Sequence, residues 1–354
     1  MPQLATDTPL RIVQWTTGNV ARAALPAILG RPDLELVGCY AWSQDKVGQD
    51  AALLCGLGEP CGVAATDDVD TLLALKPDCV VYTPLYPDID LLERVLRAGV
   101  NVVTTAEFLT GHSKPGFPER LRAAAAEGGA SIFGSGMNPG YAQLLSIVAT
   151  GVCTRVRHIR SVESVDVSAF ASDSNMNGLG WGRPMGDPGH VDDVRAAVAV
   201  FADGVHVVAA SLGIELDSVD CRVDFGAATK DLPLEGRPIA KGTVAGLDVR
   251  FIGILDGREV IELHQRWVMD SEIDPPMPAD HGYRIEIDGT PQVSLTLGLL
   301  PDQPLETLTV ADLHGIGMTI TAMPAVNAIR HVVAAAPGIL TYADIPAPAA
   351  ALVR

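Results

Sequence analysis

The chain has 354 residues, 48% of them hydrophobic and 19% charged, which exceeds one ordinary core, predicts two domains and excludes a disordered polypeptide. Its 25 Lys and Arg stand against 43 Asp and Glu, a net charge of −18, and this balance argues against nucleic acid or an anionic membrane surface as partner. No apolar run is long enough to cross a bilayer and the first ten residues lack the basic-then-apolar order of a signal peptide, so a cytoplasmic protein is expected, with any phosphate-bearing ligand held by a local site.

From residue 10 to about 150, short apolar runs alternate with helical patterns, the sequence form of a parallel sheet covered by helices. The first predicted strand, Leu10 to Trp15, runs into Thr16-Thr17-Gly18-Asn19-Val20-Ala21. This matches the second and third small positions of the dinucleotide-binding turn G-x-G-x-x-G/A and puts Thr at the first. Gly18 would let bare backbone approach a pyrophosphate at the helix N-terminus, and Ala21 would let the helix lie close to the sheet; a purely structural turn is the alternative. Pro26 falls inside that helix and should kink it.

The second predicted strand, Leu34 to Ala41, ends in Tyr40-Ala41-Trp42-Ser43-Gln44-Asp45-Lys46. No carboxylate stands at the strand tip to hold a ribose 2′-hydroxyl, whereas Ser43 and Lys46 could donate to a 2′-phosphate. NADP is therefore expected ahead of NAD, with a solvated surface lysine as the other reading of Lys46. Helical patterns over Asp67 to Leu75 and Asp90 to Ala98 flank the strand Cys79 to Thr83, and Thr83 and Pro84 after that strand would line the cofactor ribose.

Val100 to Thr104 leads into Thr105-Ala106-Glu107-Phe108-Leu109, a single carboxylate among apolar neighbours at the sheet's ligand edge. Burial there raises a carboxylate's pKa or demands a cationic partner, and either suits acid-base or electrostatic work. A helix-capping or surface Glu is the alternative. Ser131 to Phe133 is followed by Gly134-Ser135-Gly136-Met137-Asn138-Pro139-Gly140, where Asn138 has the donor and acceptor for a nicotinamide carboxamide or simply forms a turn before Pro.

From about 155 to 300 the pattern changes to long alternating stretches punctuated by Asp256-Gly257 and Asp288-Gly289, both signals for hairpin turns. Within Val260 to Val268, Ile261, Leu263, Gln265 and Trp267 share one face and Glu262, His264 and Arg266 the other. A helical pattern from Asp192 to Leu212 makes this second domain α+β. The segment 172–188 is rich in Gly, Asn, Asp and Pro yet carries Met176, Trp181 and Met185, as an active-site cover or a dimer-packing loop would. Ala322 onward begins as a helix and ends in a Pro-rich tail. Six scattered cysteines show no metal spacing; they are expected to be reduced and inert, a Cys55–Cys61 pair being disfavoured by the intracellular setting, and no metal is implied.

The stretches WTTGNVAR, NVVTTAEF, GSGMNPG and MPAVNAI, in this order across nearly the whole chain, resemble the 2,4-diaminopentanoate dehydrogenase-like family, which includes native amine dehydrogenases and is distantly related to dihydrodipicolinate reductase. The resemblance implies NAD(P)H-dependent reductive amination of a ketone or aldehyde with ammonia, in a homodimer. It assigns the catalytic glutamate to Glu107 and places Asn327 near the cofactor. After Glu163 the paired histidines and lysine of a dihydrodipicolinate reductase are missing, so an apolar carbonyl is expected over a dicarboxylate, with Phe170, Met176, Trp181 and Trp267 as candidate walls or ordinary core, and His264 as a candidate polar group or a structural histidine.

The expected architecture is thus an N-terminal Rossmann-type doubly wound parallel sheet (residues 1–150), a substrate and dimerisation domain on a largely antiparallel sheet (151–310), and a C-terminal helix and tail packing back on the first domain (311–354). Two other functions compete: an NADPH-dependent carbonyl or imine reductase that takes up no ammonia, and a non-catalytic NADP-binding redox sensor.

Overall fold

A computed structural model describes residues 8–280 and 282–350. The segments 1–7, to which the signal-peptide reading partly applies, and 351–354, the end of the tail, lie outside the described residues. The chain divides into two compact units, one formed up to Tyr141 and again from Gly315, the other by Ala142–His314. These boundaries fall earlier than residue 150 and later than residue 310.

The first unit runs β1 Leu10–Trp15, α1 Asn19–Leu29, β2 Leu34–Tyr40, α2 Ala51–Leu54, β3 Ala65–Thr66, α3 Val69–Ala74, β4 Cys79–Tyr82, α4 Ile89–Arg97, β5 Asn101–Thr104, α5 Phe117–Gly128 and β6 Ser131–Gly134. Strands such as Cys79-Val80-Val81-Tyr82 are apolar at every position because a parallel sheet buries both faces. Asp50, Asp68 and Asp88 start α2, α3 and α4 by accepting hydrogen bonds from first-turn N–H groups. Helix α1 runs through Pro26.

The second unit begins with α6 Tyr141–Thr150 and continues through β7 Arg155–Asp166, α7 His190–Ala197, α8 Val200–Ser211, β8 Ser218–Ala228, β9 Val244–Leu255, β10 Arg258–Val268, β11 Ile273–Asp274, β12 Gly282–Thr290 and β13 Val293–Leu297. The chain then forms α9 Val310–Val333 and β14 Gly338–Leu340. Helix α9 starts twelve residues before the expected Ala322. Its first half contains Gly315 and Gly317 and its second half Pro324, weak helix formers that hide it from periodicity; burial of Ala322, Ala325, Val326, Ile329 and Val332 holds it instead.

In the first unit all seven strands are parallel, in the order β14-β6-β5-β4-β1-β2-β3. The order reverses between β1 and β4, and the loops leaving those two strands open a crevice at their carboxyl ends. Strands β3 and β14, of two and three residues, are too short to show in the sequence pattern.

The second unit's sheet has the order β11-β8-β9-β10-β7-β12-β13 and is antiparallel except between β10 and β7. Asp256-Gly257 forms the β9–β10 turn with φ of 51° and 68°, the left-handed pair that such a hairpin demands. Asp288-Gly289 is not a turn. It lies within β12 at a register shift, where Asp288 binds Arg157, and the chain reverses only after Thr290. The expected helix from 192 to 212 is two helices bent by 54°, and among the described residues no single helix is long and apolar enough to cross a membrane.

One face of this sheet is covered by α8, whose Phe201 ring lies 6.1 Å from Phe251 and 5.9 Å from Trp267. The other face carries a continuous charged network. Arg160 donates to Glu262 and meets Nδ1 of His264 at 3.0 Å, and Nε2 of His264 meets Asp248 at 2.8 Å. Burial works against a charge on Asp248, but the His264 hydrogen bond and the neighbouring Arg250 and Arg266 hold its carboxyl down at about 2.

Candidate active site

At the crevice, side chains tie the loops after β1 and β4 together. The Gln14 amide donates to the Thr83 hydroxyl at 2.9 Å, that hydroxyl donates to the Trp15 carbonyl at 2.8 Å, and the Thr16 and Thr83 hydroxyls are 3.1 Å apart. Thr16, at the position where the dinucleotide motif has its first glycine, adopts φ of 80°. The Thr83 and Gln14 contacts offset that cost.

Gly18 sets the start of α1 with φ −80° and ψ −168°, and no side chain caps the helix. Any residue can adopt that backbone, and a Cβ built on Gly18 would have nothing within 4 Å. The protein's own packing therefore leaves the space beside Gly18 open, in front of a helix N-terminus that favours negative charge, which fits a dinucleotide pyrophosphate. Asn19 and Val20 form the first turn. Lys46 reaches this turn from the segment after β2, its ammonium donating to the Thr17 hydroxyl at 3.2 Å, while the Ser43 hydroxyl donates to its neighbour Asp45. Pro84 follows Thr83 at the same edge.

Glu107 stands three residues beyond β5, at the same carboxyl edge. Its N–H donates to the Leu85 carbonyl at 3.0 Å, Thr105 N–H to Tyr82, and Ser135 N–H to Thr104, so the segments leaving β4, β5 and β6 brace one another. The tips of β5 and β6 are in close contact. A Cβ on Gly134 would lie 2.2 Å from the Phe108 carbonyl oxygen, so only glycine fits. Phe108 and Leu109 are buried, and they anchor the turn that presents Glu107. The Glu107 carboxylate is a quarter exposed and its nearest cation is Lys114 at 3.8 Å. Burial raises its pKa above the ordinary glutamate value, and the Lys114 charge opposes that rise. Sequence reasoning missed Lys114 because a lysine seven residues on shows no periodicity with Glu107.

Asn138 lies in the tight turn after β6, where Gly140 takes φ of 137° and the Ser135 and Tyr342 hydroxyls are 2.6 Å apart. Asn327 lies on α9 and accepts from Arg31, which also binds Asp33; Arg31 and Asp33 precede β2 at the amino edge of the sheet. Six residues earlier on α9, the Thr321 methyl group would lie 3.7 Å from a Cβ on Gly136.

In the second unit Met176 and Trp181 are buried in the core with Val194 of α7, and Phe170 packs against that core. Segment 172–188 is pinned to the start of β9 by the Gly182–Val244 and Val244–Arg183 hydrogen bonds. His264 does not join these residues. Strand alternation puts it on the sheet face opposite Trp267, locked between Asp248 and Arg160. Among the described residues all six cysteines are free, and burial pushes the Cys39 thiol up to about 12 and the Cys55 thiol up to about 11.

Comparison with known proteins gives one consistent set of similarities. Residues 142–354 match the family model described as the 2,4-diaminopentanoate dehydrogenase C-terminal domain. The chain is 32% identical to an amine dehydrogenase of Streptomyces virginiae, covering 94% of this chain and 95% of that one. It is 25% identical to the 2,4-diaminopentanoate dehydrogenase of Acetoanaerobium sticklandii, covering 74% of this chain and 70% of the relative. Among solved structures, an amine dehydrogenase from Mycobacterium smegmatis shares the fold, with a TM-score of 0.78 at 24% identity over 95% of this chain and 96% of that one.

Proposed function

The chain belongs to the 2,4-diaminopentanoate dehydrogenase family, and on that premise we propose that it is an NAD(P)H-dependent amine dehydrogenase that converts a ketone or aldehyde and ammonia into an amine. In balance, the carbonyl compound, ammonium, one proton and the reduced cofactor yield the protonated amine, water and the oxidised cofactor. The observation that carries this reading is the half-buried Glu107 carboxylate at the ligand edge of a dinucleotide-binding sheet, with Lys114 beside it.

Thr16, Thr17, Gly18, Asn19 and Val20 would hold the pyrophosphate, Thr83 and Pro84 the ribose, and Asn138 the nicotinamide amide. Bound there, the cofactor supplies the hydride. Glu107 accepts a proton from ammonium, which frees the nitrogen lone pair to attack the carbonyl carbon. Glu107 returns that proton to the hydroxyl group formed by the addition, which leaves as water, and the carboxylate so regenerated stabilises the positive charge on the substrate's iminium carbon and nitrogen. The apolar setting that raises its pKa also strengthens its attraction for that cation. The enzyme acts in the cytoplasm as a homodimer in this reading.

NADP is the preferred cofactor, supported by the contact of Lys46 with Thr17 and by the absence of a carboxylate at the tip of β2. Lys46→Ala should weaken NADPH binding by about tenfold to a hundredfold, the loss of one charge-assisted hydrogen bond, and leave NADH binding almost unchanged. Fluorescence titration of both cofactors reads this, and an equal loss for the two would rule out a 2′-phosphate contact.

Lys114→Met removes the charge that, among the described residues, opposes the burial-driven rise of the Glu107 pKa. The acid limb of kcat/KM should therefore move to higher pH than in the wild type. Ammonia protonates identically in both reactions, so the difference between the two profiles belongs to the protein. An unmoved limb would separate Lys114 from the titrating group.

A further inference from the structure

The strand that leads into the dinucleotide turn buries a glutamine. Gln14 of β1 is fully buried, in a parallel sheet covered on both faces, where an apolar residue is the ordinary occupant. Its side-chain nitrogen lies 2.9 Å from the Thr83 hydroxyl, 3.3 Å from the Trp15 carbonyl, and 3.4 Å from the carbonyls of Thr16 and Val81. Three carbonyl oxygens around one end of the amide admit only its N–H groups there. Among the described residues the oxygen at the other end is buried without a partner. That is a costly arrangement, and a methionine of similar length would avoid it. The side chain is therefore present for its two N–H groups.

Those groups act on Thr16. This residue stands where a dinucleotide turn has its first glycine, and it holds φ of 80°, a conformation unfavourable for a β-branched residue. Its N–H donates to the Tyr40 carbonyl at 3.1 Å, its hydroxyl meets that of Thr83 at 3.1 Å, and its carbonyl accepts from Gln14. The Thr83 hydroxyl is itself fixed between the Gln14 amide and the Trp15 carbonyl. In a trans peptide the carbonyl oxygen and the following N–H point in opposite directions. With the Thr16 carbonyl turned toward the buried amide, the Thr17 N–H points away from it. Thr17 is only 4% exposed, yet among the described residues neither its N–H nor that of Gly18 has a hydrogen-bond partner. Two adjacent backbone donors left unpaired beside the open space at Gly18 suit an anionic oxygen.

We propose that Gln14 is a positioning residue for the cofactor. Its amide substitutes for the missing first glycine by clamping Thr16 in the left-handed conformation, which keeps the Thr17 and Gly18 N–H groups available to the dinucleotide pyrophosphate. The inference rests on the dinucleotide-dependent reading of this site and adds to it a fully buried residue that acts through Thr16 and Thr83. The pyrophosphate is common to both nicotinamide cofactors, so Gln14 supports NADPH and NADH alike, whereas Lys46 supports NADPH.

The test is a double-mutant cycle read by cofactor binding. Gln14→Met should weaken NADPH and NADH by the same factor, about tenfold, which corresponds to the left-handed cost of one residue. Glycine takes that backbone freely, so in a Thr16→Gly background the same Gln14→Met change should cost about twofold or less. A glutamine that serves only the core would cost the same in both backgrounds, and that result overturns the clamp. So does a loss confined to NADPH. Should Gln14→Met fail to fold, Thr83→Val replaces it in the cycle: it removes the hydroxyl between Gln14 and Thr16, and its cost should likewise shrink in the Thr16→Gly background. A crystal structure of cofactor-free Gln14→Met gives a readout that needs no dinucleotide. Thr16 should have left positive φ there, and a Thr16 still at positive φ overturns the clamp. If the wild-type protein binds neither cofactor, the amine dehydrogenase reading fails, while that structure still decides on the clamp.

Discussion

Glu107→Gln should lose ammonia-dependent turnover by about 10²-fold to 10⁴-fold, the range over which positioned acid-base groups act, while still folding and binding NADP. The amide keeps the size of the side chain and part of its hydrogen bonding but carries no charge, so the substitution probes electrostatics more than packing. The turn that presents this residue is fixed by other atoms, namely the bond from the Glu107 backbone N–H to the Leu85 carbonyl, the buried Phe108 and Leu109, and the close contact with Gly134. None of these involves the carboxylate, so a folded, cofactor-binding, inactive variant is the expected outcome. The measurement is amination at saturating ammonia and cofactor, with cofactor affinity taken separately. If most of the activity survives, Glu107 is structural and the proposed mechanism falls.

Gly18→Val should weaken the cofactor about a hundredfold or more, about 2.7 kcal/mol, with little change in melting temperature. A side chain at this position meets nothing else in the protein and requires no unusual backbone angle, so the fold has no reason to object beyond a modest preference for small or polar residues at a helix start. The branched side chain would instead fill the space in front of the α1 N-terminus and keep a pyrophosphate from its N–H groups. Titration by nicotinamide fluorescence measures the loss, and thermal unfolding checks the fold. Tight binding by this variant would place the dinucleotide elsewhere. By contrast, Trp181→Ala would empty a core position and cost about 3–5 kcal/mol of stability, so a change in its KM could not be assigned to substrate contact.

The sequence alone was enough to determine the alternation of strands and helices in the first unit, the strand-to-helix turn at Gly18 and the isolation of Glu107 among apolar residues, because each is written in consecutive residues. Strand β1 has its expected bounds, and the two faces of β10 separate as their alternation requires. The Asp256-Gly257 turn was legible for the same reason, since both residues tolerate the left-handed backbone it needs. Asp288-Gly289 has the same chemistry but is absorbed into a strand, because pairing with β7 and the Arg157 contact outweigh local turn preference.

Other features exist only once distant segments meet. Asn327 sits in a stretch that resembles a cofactor-side motif, and its hydrogen bond with Arg31, near the other end of the chain, exists only through the packing of α9. His264 reads equally as a pocket or a structural histidine until the fold brings Asp248 and Arg160 to its two ring nitrogens. Lys114 becomes the counter-ion of Glu107 only through the fold of the loop between them. A polar residue in the apolar phase of a strand, as Gln265 is, can be seen in the sequence, but its partners cannot. Local propensity and periodicity act over a few residues and survive in the chain, whereas the neighbours that set a side chain's charge, hydrogen bonds and exposure come from strands and helices far apart in sequence, and only tertiary packing brings those together.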